Sequence, residues 1–362
     1  MIFRSAYARC LSHHDALRIS RNFLQTKSNI NATASFSSHS SRTPRHLLSI
    51  ADLSTSELNA LVLNASRHKA TVTSGDIPPN IRGSLSSKTV AMMFSKRSTR
   101  TRVSTEGAIT LLGGHPMFLG SSDIQLGVNE SLRDTSRVIS SMSAAMIARV
   151  GCHSEVLNLA KWSTVPVINA LSNDFHPFQT IADLLTIKEA FHLKRNDLSG
   201  LKIAWIGDSN NVLFDLAIGA LKLGINISVA SPIGYTIPEP MRKLIVSANT
   251  SGANFEETNV PEEAIKGADI LVTDTWISMG QEEESERRFQ AFSGFQITED
   301  LAKRGGANKD WKFMHCLPRH QDEVDDDVFY GHRSLVFPEA ENRLWSAVSV
   351  LEGFVVNKGI IA

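Results

Sequence analysis

From His46 onward, short runs of consecutive apolar residues alternate with segments whose apolar positions recur at helical spacing. Lys88–Phe94 (KTVAMMF), Ala144–Val150, Thr164–Ala170, Leu201–Gly207 (LKIAWIG), Ile225–Ala230, Ala268–Thr273, Trp311–His315 and Ser334–Phe337 read as strands. Helices are expected over Ala51–Ala70, Thr101–Leu112, Thr180–Phe191, Asn211–Leu223 and Glu339–Val355. The first has Ser54 and Ser56 as N-cap candidates, the second stops at Gly113-Gly114, and the fourth at Gly224. Strands separated by helices predict parallel α/β sheets. The 362 residues suit about two domains, with no internal repeat at a solenoid period. Gln281–Gln290 is highly charged and reads as a solvated loop or helix end.

Composition adds exclusions. No apolar run reaches the roughly 18 residues of a membrane-spanning helix, so no membrane partner is expected. Cys10, Cys152 and Cys316 are too few and too scattered for a disulfide framework or a structural zinc site, and free thiols in a reducing compartment are expected. Lys and Arg total 37 against 37 Asp and Glu, a balance that argues against a nucleic-acid partner. The balance is uneven. Residues 1–46 hold seven bases (Arg4, Arg9, Arg18, Arg21, Lys27, Arg42, Arg45) against Asp15 alone, a net of +6, which leaves −6 on the remainder. An acid-poor, Arg- and Ser-rich start without an apolar core segment predicts a mitochondrial transit peptide over about 1–40 and delivery to the mitochondrial matrix.

Six polar clusters follow expected strands, where parallel sheets place ligands. Ser95-Lys96-Arg97-Ser98-Thr99-Arg100-Thr101-Arg102 opens a helix with four bases, a setting for phosphate. His176-Pro177-Phe178-Gln179 offers an imidazole and a carboxamide that suit a carbonyl oxygen. Gly207-Asp208-Ser209-Asn210-Asn211 lacks the G-x-G-x-x-G of a dinucleotide site; its asparagines suit caps or a small zwitterion. Asp274-Thr275-Trp276-Ile277-Ser278-Met279-Gly280 ends a strand on a carboxylate able to pair with an amine. His315-Cys316-Leu317-Pro318-Arg319 places a thiol beside bases, which either tune it or leave it inert. Glu339-Ala340-Glu341-Asn342-Arg343 opens the last helix.

In this order, SKRSTRTR (95–102), HPFQ (176–179), DSNN (208–211), DTWISMG (274–280), HCLPR (315–319) and FPEAENR (337–343) make the chain resemble the aspartate/ornithine carbamoyltransferase family from about His46 to the C-terminus. The SMG loop and HCLP point to its ornithine-using branch. The resemblance implies two parallel α/β domains joined by interdomain helices: 47–183 binding carbamoyl phosphate, 184–338 binding L-ornithine, and 339–362 returning to the first. It implies carbamoyl transfer to the δ-amine, giving citrulline and phosphate, with no metal or organic cofactor and with a homotrimeric assembly.

By position, Ser98, Thr99, Arg100 and Thr101 would hold the phosphate, and Arg149, His176 and Gln179 the carbamoyl group. Gln125 would reach this site from a neighbouring subunit. Asn211, Asp274, Ser278 and Met279 would bind the ornithine α-amino and α-carboxylate groups. Cys316 and the Leu317 carbonyl would face the δ-amine, with Arg343 completing the carbamoyl end. Cys316, Arg149, His176 and Arg343 form the expected catalytic set. Phe178 is bulky for its place in HPxQ, yet its side chain need not meet substrate. Rival readings are a carbamoyltransferase for aspartate, putrescine or N-acetylornithine, a nicotinamide-dependent dehydrogenase, and a non-catalytic regulatory relative.

Overall fold

The computed structural model describes residues 43–121, 123, 130–191, 197–277 and 284–362. The expected transit segment and Gln125, Ser278 and Met279 lie outside them.

Residues Ile50–Asp52 form a 3-10 turn that leads into α1 (Thr55–Thr73), where Ser54 and Glu57 make a reciprocal capping box. The first sheet then builds as β1 (Thr89–Phe94), α2 (Thr99–Leu111), β2 (His115–Gly120), α3 (Leu132–Met142), β3 (Ala145–Arg149), α4 (His153–Trp162) and β4 (Val167–Leu171). Its strands are all parallel, in the order β2-β1-β3-β4. α5 (Pro177–Phe191) crosses to the second sheet. There follow β5 (Lys202–Ile206), α6 (Asn211–Lys222), β6 (Asn226–Ala230), α7 (Glu239–Ser247), β7 (Phe255–Thr258), α8 (Pro261–Ile265), β8 (Ile270–Thr273), α9 (Ser285–Ala291), α10 (Glu299–Gly305), β9 (Lys312–His315) and α11 (Asp326–Phe329). This sheet is parallel in the order β7-β6-β5-β8-β9. The two parallel sheets flanked by helices are the predicted architecture.

The central strands are buried along their length, which explains why they read as continuous apolar runs. One expected strand does not form. Ser334 makes only an isolated bridge to Phe313, and Val336 already begins α12 (Val336–Leu351). Leu335 donates its N–H to the Phe313 carbonyl and accepts from Glu339 N–H, so the apolar run SLVF becomes the lip of a helix. α12 packs on α5, α2 and α1 of the first half.

The halves are joined where α6 meets α5 and the 3-10 turn. Gly219 lets α5 approach; a Cβ there would sit 2.9 Å from Thr180 Cγ2. Asp215 accepts hydrogen bonds from Ser49 Oγ (2.8 Å), Ile50 N (2.9 Å) and His176 N (2.8 Å). Two turns on, Lys222 donates to the Ile50, Ala51 and Leu53 carbonyls. One face of α6 thus clamps both ends of the turn. Cys316 is a free thiol.

Among the described residues no helix is long and apolar enough to cross a membrane. A cavity of about 1060 Å³ opens between the halves beside Lys222 and the start of α1, and none of the expected site residues lines it.

Candidate active site

The expected residues gather where the carboxyl ends of both sheets face each other across the cleft. After β1, Ser98 adopts an extended conformation and its Oγ accepts the Thr101 N–H at 3.3 Å, starting α2. That start leaves Arg100 on the first turn, where its guanidinium donates to the Leu317 carbonyl of the opposite half. Leu317 sits at φ 63, in the left-handed region that an ordinary L residue adopts at a cost of about 1–3 kcal/mol.

Arg149 closes β3. Burial, and secondarily Arg100, lowers its pKa to about 10, so it remains a cation. Its Nε is buried without a partner. From α12, Arg343 donates to Gln179 Oε1 at 2.6 Å and to Thr101 Oγ1 at 3.2 Å, and its Nε is likewise unpartnered. Burial lowers it to about 10 as well. Arg100 and Arg343 bond only neutral oxygens among the described residues. Three guanidiniums converging without a carboxylate partner leave a positive potential that an oxyanion or phosphate would relieve.

His176 is 4% exposed. Burial, then Arg343, Arg149 and Arg100, holds its pKa well below the ordinary histidine value. Its ring is therefore neutral, and Nδ1 has no partner among the described residues. A neutral imidazole offers one donor and one acceptor. Phe178, 1% exposed, points into the core, as its bulk allows.

Gln179 sits at the centre of the cleft floor. Its Nε2 donates to Asp183 Oδ1 at 2.8 Å and to Glu339 Oε1 at 2.9 Å, and Glu339 Oε2 accepts the His315 N–H at 2.9 Å. Burial raises Asp183 to about 7. Burial, then the charge of Asp183, raises Glu339 well above its ordinary value.

In the second half, Gly207 ends β5 at φ 140; a Cβ there would meet Thr273 Oγ1 at 3.0 Å and the Trp276 indole nitrogen at 3.2 Å. Asn210 caps α6 and its Nδ2 donates to Asp274 Oδ2 at 2.7 Å. Asn211, the expected ligand, turns its amide to the Ser172 carbonyl at 2.7 Å. Asp274 therefore meets Asn210, while Asn211 joins the two halves. The other Asp274 oxygen accepts from the Cys316 thiol at 3.0 Å. Burial and that carboxylate raise the thiol pKa well above its ordinary value. The bases flanking Cys316 in sequence do not activate it: Arg319 turns away to Val324 and Asp326, and both ring nitrogens of His315 are occupied, by Leu317 N–H and by Glu323. Asp274, His315 and Cys316 each bring one ligand-type atom within 4.8 Å of the others, but the imidazole is engaged by Leu317 and Glu323 and the thiol by Asp274. Beside them, Arg288 bonds Asp208 at 3.1 Å and the Trp276 carbonyl at 2.8 Å, tying α9 to the segment before residue 278.

Two family models divide the chain. The aspartate/ornithine carbamoyltransferase carbamoyl-P binding domain matches residues 45–189, and the Asp/Orn binding domain of the same family matches 199–353. The chain belongs to the aspartate/ornithine carbamoyltransferase family. Among its relatives, a mitochondrial ornithine carbamoyltransferase of Aspergillus terreus is 68% identical, the match covering 88% of this chain and 91% of the relative. The ornithine carbamoyltransferase of Saccharomyces cerevisiae is 48% identical over 87% and 95%. The crystal structure of a mitochondrial ornithine carbamoyltransferase from Coccidioides immitis superposes with a TM-score of 0.84 at 62% identity, covering 88% of this chain and all of that one. That from Pyrococcus furiosus superposes at 0.81 with 42% identity, over 87% and 98%.

Family motifs account for Arg100, Arg149, His176, Gln179, Asp274, Cys316 and Arg343. They pass over the groups that hold these side chains: Asp183, Asp215, Glu323 and Arg288. One signal was available. Asp183 lies four residues after Gln179, and Glu339 four before Arg343, the spacing that puts two helical side chains on one face.

Proposed function

We propose that this protein transfers the carbamoyl group of carbamoyl phosphate to the δ-amine of L-ornithine, giving L-citrulline and inorganic phosphate. The observation that carries the reading is the pairing, across one cleft, of three guanidiniums lacking carboxylate partners with the Asp274–Cys316 pair.

Carbamoyl phosphate would enter at the start of α2. Ser98, Thr99, Arg100 and Thr101 would take the phosphate, aided by the unpaired N–H groups of the helix start. Arg149 and the neutral His176 would point donors at the carbonyl oxygen, where charge builds as the amine adds. Gln179 and Arg343 would hold the carbamoyl end. Asp274 supplies the counter-charge for the ornithine ammonium, with Asn210 and Asn211 beside it; Ser278 and Met279 would complete this end. The Leu317 carbonyl, aimed into the cleft, would orient the δ-amine, and the neutral Cys316 thiol would line its path without attacking. The amine nitrogen forms a bond to the carbonyl carbon, the carbon–oxygen bond to phosphate breaks as the tetrahedral intermediate collapses, and the proton shed by the nitrogen leaves with the phosphate. Neither a metal nor an organic cofactor has a part in these steps.

We place the carbamoyl-phosphate unit at 47–183, the ornithine unit at 184–338 and the returning helix at 339–362. Helix α5 runs unbroken through the first junction. A homotrimer with Gln125 lent between subunits, a transit peptide over about 1–40 and residence in the mitochondrial matrix complete the proposal. The mitochondrial naming of relatives and the basic N-terminus support it.

The test is citrulline formation by the purified protein. Turnover with ornithine and none with aspartate, putrescine or N-acetylornithine is expected; turnover with one of the others in its place would reassign the acceptor.

A further inference from the structure

The cleft floor contains an arrangement that the reaction, as described, does not use. Two carboxyl groups, Asp183 on α5 and Glu339 on α12, accept from the same amide nitrogen of Gln179. Both are almost fully buried, 2% exposed each. Two ionised carboxylates this close in a dry site repel strongly, and the stable state of such a pair holds one proton between them. The surrounding groups agree with a single negative charge. Arg343 faces the pair from α12, while Asp274 from the end of β8 and Cys316 after β9 add negative or neutral groups. His315 contributes its backbone N–H, its ring being spent on Glu323 and Leu317. Arg100, Arg149 and the neutral His176 lie beyond Arg343.

We propose that Asp183 and Glu339, sharing one proton, are the positioning residues that orient Gln179 and tie it to the His315–Cys316 backbone. Donors and acceptors fix the orientation of the amide. A carboxamide is nearly symmetric in shape, and only its partners decide which end is oxygen. With two acceptors on one side, Nε2 must turn toward them. Oε1 is then left for Arg343, at 2.6 Å. Arg343 in turn reaches Thr101 at the start of α2. The same Glu339 carboxyl fixes the strand end that carries Cys316 and Leu317. One proton-sharing pair thus holds the carbamoyl end and the amine end in a fixed relation. Loss of its proton places a second negative charge beneath the anion site.

The inference rests on the carbamoyltransferase reading, and the two fail separately. Citrulline formation by the wild-type protein tests the reading; the pair is tested by ratios to wild type. Asp183→Leu has the size of the aspartate but offers no acceptor, and should lower kcat/KM for carbamoyl phosphate by about 100-fold. Asp183→Asn can accept from Gln179 and donate to an ionised Glu339, keeping one negative charge without a proton to lose. It should recover activity to within about fivefold of wild type near neutral pH.

The decisive readout is affinity for a phosphonate analogue of carbamoyl phosphate, measured by calorimetry from neutral to alkaline pH. Wild-type affinity should fall as the shared proton leaves. The ratio of Asp183→Asn to wild-type affinity should therefore rise with pH. A constant ratio would overturn the shared proton, and an Asp183→Asn variant as impaired as Asp183→Leu would overturn the orienting role. If Asp183→Leu does not fold, the pH dependence of the Asp183→Asn ratio decides alone.

Discussion

The Cys316 thiol donates to one oxygen of Asp274 at 3.0 Å while Asn210 holds the other at 2.7 Å. The carboxylate is thereby pinned from both sides, and its charge, with burial, keeps the thiol protonated. A protonated thiol is a poor nucleophile. Alkylation of Cys316 by iodoacetamide near neutral pH should be slow, and Asp274→Asn should accelerate it by about tenfold or more. Mass-spectrometric rates across pH measure this; an unchanged rate would sink the assignment.

Arg343 spans Gln179 and Thr101 with two different nitrogens, which a lysine cannot do. Arg343→Lys should lower kcat by about 10² or more while leaving the melting temperature within a few degrees. Arg100→Ala, which removes a proposed phosphate ligand, should act mainly on KM for carbamoyl phosphate. Steady-state kinetics with each substrate varied separates the two patterns.

The attacking δ-amine has an unperturbed pKa of about 10.4. With carbamoyl phosphate saturating, kcat/KM for ornithine should climb through the neutral range toward a limiting slope of about tenfold per pH unit. A flat profile would count against direct attack by the free amine.

Stability should be sensitive to acid. Burial lowers His46 and His153 to about 4 and holds His176 well below its ordinary value. A histidine with a depressed folded pKa contributes stability that is present above its unfolded pKa, about 6.5, and is lost as pH falls toward the folded value. The raised carboxyls work in the opposite direction. Asp208 at about 6 and Asp183 and Asp215 at about 7 favour the folded state in acid, and lose that contribution as pH rises through those values. Between these values the two sets oppose each other, so the acid response is a difference that a single-histidine variant resolves. His153 contacts Ser172 Oγ at 2.8 Å and packs edge-on against Phe175, so His153→Gln keeps a hydrogen bond and removes the titration. Between about pH 7 and pH 5 the variant should lose about 2 kcal/mol less than wild type. Denaturant unfolding at several pH values gives the comparison, and equal losses would refute it.

The fold was legible where burial was two-sided. β1, β3, β5 and β8 are apolar on both faces and stand out as runs. β2 (HPMFLG) and β7 (FEET) edge their sheets and carry polar or exposed positions, so no run marks them. Ser334–Phe337 misled because an apolar run can also open a helix: there Val336 is buried, Leu335 half-buried and Phe337 exposed. In the site, the residues proposed to touch substrate were readable because their motifs follow strand ends. Asn210 both caps α6 and meets Asp274 while Asn211 faces Ser172, because a helix start turns successive side chains by about 100°, and sequence alone does not say which of two asparagines is the cap. Asp215 and Asp183 were invisible because their partners come from elements far apart along the chain.

Helix α12 brings Arg343 and Glu339 to the cleft from within the last 25 or so residues of the chain. A chain growing from its N-terminus can finish both sheets and still lack the guanidinium that holds Gln179 and the carboxyl that anchors His315. A product lacking this helix would also leave the faces of α5, α2 and α1 beneath it uncovered. Docking of the helix thus closes the hydrophobic core and completes the anion site in one event.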